Sequence, residues 1–394
     1  MSQTAHTAED LARRAEELRE RAIEFRLGEA EAWGQEIERT GEIPEGLWAR
    51  LRELGLLSLT QPRWAGGEEL PLALYFPILE EISRCHGSIR MACHAFNSIW
   101  RTIGQGREEQ QREWLPHIAR GEKLVAFALT EPDAGTGIDL KTTATREDGG
   151  FVLRGRKHLI TFARRASVFV VVAKTDAEVG RQGLTAFLVP KNQPGMRVED
   201  MPEMMGDRGC DHAVITFEEC AVPEEAVLGE VGQGFEVAVR GFLDQSRACI
   251  AQSAVGLAQE ALDRAVSHAR RRRTFGKSIA SRQAIQMRLA EMDIAVQAGR
   301  LLCMDAARKF DAGKEIAREA ARAKAYAIKM VGEVTDGALS TFGGVGYLSG
   351  SPIERLYRDA RSLWFEEGTA EMQKMTIAER LLSEARRRER QESR

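Results

Sequence analysis

Leu124-Val-Ala-Phe-Ala-Leu-Thr-Glu-Pro-Asp-Ala-Gly-Thr136 marks the point where the chain changes character. Its first half, Leu124 to Leu129, is a short apolar run of strand length. Its second half is a turn of Pro132, Asp133 and Gly135 flanked by the Thr130 and Thr136 hydroxyls. The chain reads as helix before this stretch and as strand after it.

Before it, Leu11, Ala15, Leu18, Ala22 and Phe25 recur at three and four residues, a helical stripe. Pro44-Glu-Gly-Leu-Trp48 opens a second helix that runs to Leu54 and is closed by Gly55. Ala73 to Arg84 and Ile89 to Ile103 read as further helices, the former kinked or started late by Pro77. After it, Phe151-Val-Leu153, Val168 to Ala173, Leu184 to Val189 and Ala213 to Phe217 are short strands spaced as in a small barrel or sandwich. From Phe235 the pattern is helical again. Phe235 to His268 has no proline and predicts about 50 Å of helix at about 1.5 Å per residue. Arg282 to Phe310, Ala317 to Ser340 and Thr369 to Arg386 complete an antiparallel four-helix bundle. The expected fold is therefore mixed α and β: a helical domain over 1–123, a β-domain over 124–232 and a helical bundle over 233–394. That order lacks the strand–helix alternation of a doubly wound sheet, which argues against a nicotinamide-binding domain.

The 394 residues suffice for two or three such units around a large core. With 56 basic and 59 acidic residues the net charge is −3, and nothing points to nucleic acid or a membrane surface. Cys85, Cys93, Cys210, Cys220, Cys249 and Cys303 form no C-x-x-C pair and read as reduced thiols of a cytoplasmic protein. No apolar h-region follows Met1, no window reaches the length of a membrane helix, and the seven histidines form no metal pattern.

Five segments can carry chemistry, and each has a plain structural reading beside it. The Phe127–Thr136 loop brings backbone N–H groups against a flat polar ring, or is simply a strand-end turn. Lys157-His-Leu-Ile-Thr161 ends in a hydroxyl, or in an ordinary strand threonine. Arg271-Arg-Arg-Thr-Phe-Gly-Lys277 suits a pyrophosphate as well as a helix C-terminus, with Gln283 following. Phe342-Gly-Gly-Val-Gly-Tyr347 permits close approach of a ligand, or only stops a helix. It follows a helix rather than a strand and lacks the dinucleotide spacing. Tyr357-Arg-Asp-Ala-Arg-Ser-Leu-Trp-Phe-Glu-Glu-Gly-Thr369 places Glu366 and Glu367 beside apolar Leu363, Trp364 and Phe365. A glutamate in such surroundings gains basicity; an exposed acidic pair at a helix start is the alternative.

Together, in this order and spacing, the five segments resemble the acyl-CoA dehydrogenase family, from about Ile43 to Arg380. The resemblance implies one FAD per subunit, a homotetramer, and an electron-transfer flavoprotein as electron acceptor. It implies that Phe127, Leu129, Thr130, Gly135 and Thr136 line the flavin, with Leu159 and Thr161 nearby. Arg272, Thr274, Phe275 and Gln283 would reach the FAD of a neighbouring subunit, and Gly343 and Gly344 its ADP half. Glu367 would be the base that removes the α-proton of an acyl thioester, followed by Thr369. Some members carry the base on the long helix instead, where this chain has Ser246, which cannot serve.

Leu159, where many members have an aromatic, Ser340 in place of a glutamine, Thr136 in place of a serine, Phe162-Ala-Arg-Arg165 and Glu366 in place of a tyrosine depart from the family's pattern. Substrate contacts are expected from Arg90, Thr136, Asp244, Arg247, Glu366 and Gly368. Arg90 resembles the arginine with which glutaryl-CoA dehydrogenases hold a distal carboxylate; an internal Arg90–Glu366 ion pair is the competing reading. Two other functions stay open. One is dehydrogenation of an acyl group on a carrier protein, whose phosphopantetheine arm Arg247 and Met205-Gly-Asp-Arg208 would serve equally well. The other is a non-dehydrogenating flavoprotein of this fold.

Overall fold

The computed structural model describes residues 7–134, 139–147, 149–176 and 180–392. Helices come first. In α1 (Ala8–Gly28) the predicted stripe is the buried face: Ala15, Leu18, Ala22 and Phe25. Thr7 and Asp10 close a reciprocal capping box at its start. α2 (Ala30–Thr40) and α3 (Glu45–Glu53) follow, α3 burying Leu47, Trp48 and Leu51 behind Pro44. α4 (Leu72–Ser83) begins directly after Pro71 and runs through Pro77, so Pro77 does not delay its start. Its first two amides donate to Asp311 Oδ1 and Oδ2, each at 2.8 Å, a cap supplied from the far end of the chain. α5 (Gly87–Ser98) is buried along its whole length, and α6 (Trp100–Ile103) and α7 (Glu108–Ala119) complete this part.

The strands form one hydrogen-bonded sheet. They are β1 (Val125–Ala128), β2 (Thr143–Glu147), β3 (Gly150–Thr161), β4 (Val168–Lys174), β5 (Leu184–Pro190), β6 (Met196–Asp200), β7 (His212–Pro223) and β8 (Val227–Leu228). The order is β6-β7-β3-β2-β4-β5-β8, with β1 parallel to β4. Between Lys157 and Ile160 the β3–β7 register slips. Within that bulge Leu159 takes φ +57° and stands 43% exposed, and Thr161 returns to register opposite His212.

The single helix expected from Phe235 to His268 is instead a π-helical segment, Glu236–Leu243, running into α8 (Asp244–Arg271). A tight hairpin, β9 (Arg273–Thr274) and β10 (Lys277–Ser278), leads to α9 (Gln283–Asp311), α10 (Ala317–Phe342), α11 (Pro352–Ser362) and α12 (Ala370–Glu392). α8 packs on α9, α10 and, in the first part, α4. All six cysteines are buried and unpaired. Among the described residues no side-chain cluster could hold a metal and no helix is long and apolar enough to cross a membrane.

Candidate active site

The loop between α11 and α12 carries Glu366, Glu367 and Gly368. Glu367 has φ +52° and Gly368 φ +94°, left-handed values that a non-glycine residue keeps only when its surroundings hold it there. Three neighbouring helices do so by gripping main-chain carbonyls. Lys324 of α10, fully buried, donates to the carbonyls of Glu366 and Gly368. Arg247 Nε of α8 donates to the Glu367 carbonyl at 3.2 Å. Gln373 Nε2 of α12 donates to the carbonyls of Glu367 and Gly368 at 3.3 and 3.1 Å. The amide N–H of Glu367, by contrast, has no acceptor among the described residues.

The Glu367 carboxylate takes one hydrogen bond, from Ser246 Oγ to Oε1 at 3.1 Å. No described residue donates to Oε2. Burial pushes the Glu367 carboxyl up to about 7, with the Glu366 charge adding and Lys324, Ser246 and Arg247 opposing. Burial in turn pulls the Lys324 ammonium down to about 8 against the two carboxylates.

Glu366 points elsewhere. Arg90 of α5, 3% exposed, holds it bidentately at 2.7 and 2.8 Å and reaches Asp207 Oδ2 at 3.1 Å. Of the two readings of Arg90, the structure shows the internal pair. Burial raises the Glu366 carboxyl, but Arg90, helped by Lys324, holds it below the ordinary range. Burial pushes Asp207 up to about 7 despite Arg90, with the Asp359 and Glu366 charges adding. The Asp207 amide donates to Asp359 Oδ1 at 2.8 Å, so the 205–208 loop turns this aspartate inward. Asp244 and Arg247, read from the sequence as substrate contacts, pair with each other at 2.9 Å. Arg247 is further committed to the loop carbonyl. Arg90, Asp244, Arg247, Glu366, Glu367 and Gly368 thus form one constellation, and Thr369, exposed, opens α12 beside it.

The residues expected at the flavin lie on two neighbouring segments of the β-domain. Phe127 packs against Phe242 with ring centroids 5.0 Å apart. Leu129 and Thr130 are tied to β3: the Leu129 carbonyl accepts from Lys157 Nζ at 3.1 Å and the Thr130 carbonyl from His158 N at 2.9 Å. Lys157, wholly buried, also pairs with Glu131 at 2.8 Å. Thr161 Oγ1 lies 3.1 Å from His212 Nε2. Gly135 and Thr136 lie outside the described residues. The exposed apolar Leu159 and the half-buried Thr130 and Thr161 suit a flat ring with an apolar face and polar edges.

The third group sits at one end of the bundle. Phe342, the last residue of α10, stacks on His268 near the end of α8, with ring centroids 4.1 Å apart. Gly343 follows with φ +65° and ψ −151°, a conformation essentially restricted to glycine, and a Cβ there or at Gly344 would meet open space. Arg272 and Gln283 are exposed, and Thr274 is tied to Arg282 through its carbonyl at 3.0 Å. Phe275, at the hairpin tip, is 96% exposed. Arg272, Phe275 and Gln283 of this group are thus open to solvent, while Phe342 packs on the core.

Lys324, Gln373, Glu131, Asp207 and His94 were not singled out from sequence. Lys324 had a signal: it falls on the alanine-rich apolar stripe of α10, with Ala317, Ala320, Ala327 and Val331, where a lone lysine demands a buried acceptor.

Family models match three consecutive parts of the chain. The acyl-CoA dehydrogenase N-terminal domain matches residues 13–122, the middle domain 126–220 and the C-terminal domain 232–382. The 3-(aryl)acrylate reductase of Clostridium sporogenes is 37% identical over 368 residues, 93% of this chain and 97% of its own. The human mitochondrial short-chain specific acyl-CoA dehydrogenase is 37% identical over 350 residues, 88% of this chain and 85% of its own. The butyryl-CoA dehydrogenase structure from Megasphaera elsdenii superimposes with a TM-score of 0.89 at 31% identity, covering 97% of this chain and 100% of that one. The chain belongs to the acyl-CoA dehydrogenase family.

Proposed function

We propose that this protein is an FAD-dependent dehydrogenase that converts an acyl-CoA to its 2-enoyl-CoA, with Glu367 as the base. The carrying observation is the Glu367 loop. Its carboxylate is held by a single donor at Oε1, leaving Oε2 for a proton, and its own N–H is unpaired among the described residues. A thioester whose carbonyl oxygen accepts that N–H would have a more acidic α-carbon, as in an oxyanion hole. Oε2 then takes the α-proton, and Lys324 and Arg247 keep the loop backbone from recoiling as the charge moves. FAD, when bound, supplies the acceptor for the β-hydride, so that the two C–H electron pairs become one C=C bond and one reduced cofactor. Phe127, Leu129, Thr130, Leu159 and Thr161 would hold its ring, and Gly343 and Gly344 of a neighbouring subunit its ADP half. Arg272, Thr274, Phe275 and Gln283 would reach the FAD of a neighbouring subunit.

That last role requires an assembly, and a homotetramer fits the surface. Met287, Ile294 and Leu301 on α9, seven residues apart, are 56, 68 and 72% exposed and form an apolar stripe that a monomer would leave in water. An electron-transfer flavoprotein is the proposed electron acceptor. The likeness to an acrylate reductase supports a second reading, in which the same site runs in reverse and delivers proton and hydride to a 2-enoyl substrate.

The test is anaerobic flavin reduction by short, branched and dicarboxylic acyl-CoAs, and oxidation of the reduced enzyme by the matching enoyl-CoAs. A Glu367→Gln variant that retains FAD should reduce it about 10²–10⁴-fold more slowly. Reduction at the unaltered rate removes Glu367 from the mechanism.

A further inference from the structure

Ser246 stands where a carboxylate base would sit on the long helix, and it does not stand alone. Its Oγ lies 3.1 Å from Glu367 Oε1 on one side and 3.1 Å from His94 Nε2 on the other. His94 Nδ1 lies 3.3 Å from Ser98 Oγ. All three partners on α5 and α8 are at most 4% exposed.

Donor chemistry gives the chain one direction. A carboxylate only accepts, so the single Ser246 proton points at Glu367. The contact from His94 must then be an N–H donating to Ser246 Oγ, which puts the imidazole proton on Nε2. Nδ1 is left bare and accepts from Ser98. Burial and the nearby Arg90 pull the imidazole down to about 4, so it stays neutral across the working range and the direction is kept. The charged groups around Glu367 are Lys324 from α10, Arg247 from α8 and Glu366 from its own loop; those around His94 are Arg90 on α5 and Glu366. Lys324 and Arg247 are engaged with carbonyls, so among the described residues Ser246 is the one donor to the Glu367 carboxylate.

We propose that Ser246 and His94 are positioning residues for Glu367: a one-way chain, Ser98 to His94 to Ser246 to Oε1, fixes the carboxylate's rotation and stabilises its ionised form, leaving Oε2 for substrate. The proposal rests on Glu367 being the base.

The experiment is an infrared titration of the holoenzyme from pH 5 to 9, following the protonated carboxyl band that Glu367→Gln removes. It is paired with the pH profile of flavin reduction by butyryl-CoA. Loss of one hydrogen bond to the ionised form should raise the Ser246→Ala midpoint by roughly half to one unit. His94→Leu should move it the same way by less, and Ser246→Thr, which keeps the hydroxyl, should restore it. Wild-type, Ser246→Ala and His94→Leu midpoints that coincide would overturn the proposal. The base reading fails separately, if Glu367→Gln reduces its flavin at the wild-type rate. A Glu367→Gln enzyme that is inert, alongside an unmoved Ser246→Ala midpoint, removes this inference alone.

Discussion

Arg90→Met is the most demanding perturbation. The guanidinium makes two short bonds to Glu366, at 2.7 and 2.8 Å, and one to Asp207 at 3.1 Å, all within side chains at most 15% exposed. Methionine preserves much of the volume but leaves two carboxylates buried without their cation. Breaking a buried pair in this way costs about 3–5 kcal/mol. With a urea slope of about 3 kcal/mol per M, that lowers the unfolding midpoint by about 1 M or more. The loss depends on pH with a definite sign. Unpaired and buried, both carboxylates titrate above their unfolded values, so the folded variant binds more protons and loses stability as pH rises. The deficit against wild type should therefore be small near pH 5 and much larger at pH 8, above the value of about 7 that Asp207 already has beside Arg90. Glu366→Gln, which keeps hydrogen-bonding atoms and leaves Asp207 opposite Arg90, should cost much less, and adding it to Arg90→Met should recover part of the loss. The assay is urea unfolding at both pH values, with turnover on glutaryl-CoA and butyryl-CoA. Equal activity losses on the two substrates accompany the structural role. An unchanged midpoint with selective loss on glutaryl-CoA would refute this reasoning and make Arg90 a carboxylate receptor.

Other outcomes follow from the same geometry. Only the ionised Glu367 accepts a proton, and burial holds its carboxyl near 7, so kcat/KM should climb through about pH 7 and level off above it; a flat profile from pH 6 to 8 contradicts this. Lys157→Met leaves Glu131 as a buried lone charge beneath Leu129 and Thr130 and should weaken FAD binding at least about tenfold, measured by titrating apoprotein, since a broken buried pair costs about 3–5 kcal/mol. Ile294→Asp places a charge in the middle of the α9 stripe and should shift light scattering from the proposed tetramer to smaller species while the circular dichroism stays unchanged.

Elements that bury a continuous apolar face could be read from residues alone. The α1 stripe and the runs that become β4 and β5 are buried as their patterns imply. What escaped lacks such a face. β2 is Thr143-Ala-Thr-Arg-Glu147 with only Ala144 buried, and it exists because β3 pairs with it. α7 is mostly polar and carries Pro116 in its last turn. β3 is broken in pattern by Gly155 and by the bulge that exposes Leu159, so only its first residues and its end at Thr161 read as strand. The candidate site divides in the same way. Glu367 and the glycines stand in local motifs. Lys324, His94 and Asp207 reach Glu366, Ser246 and Arg90, each at least 42 residues away, which no local pattern announces.

The grip on the Glu366–Gly368 carbonyls has an evolutionary consequence. Lys324, Arg247 and Gln373 hold main-chain atoms, which any residue supplies, so position 366 can change its side chain without releasing Glu367. Position 90 has no such freedom while 366 and 207 are acidic, because losing Arg90 alone strands two carboxylates in the interior, whereas losing Glu366 leaves Arg90 opposite Asp207. Descendants of this sequence should therefore lose Glu366 before Arg90 or together with it, and never Arg90 first, while Glu367 stays where it is.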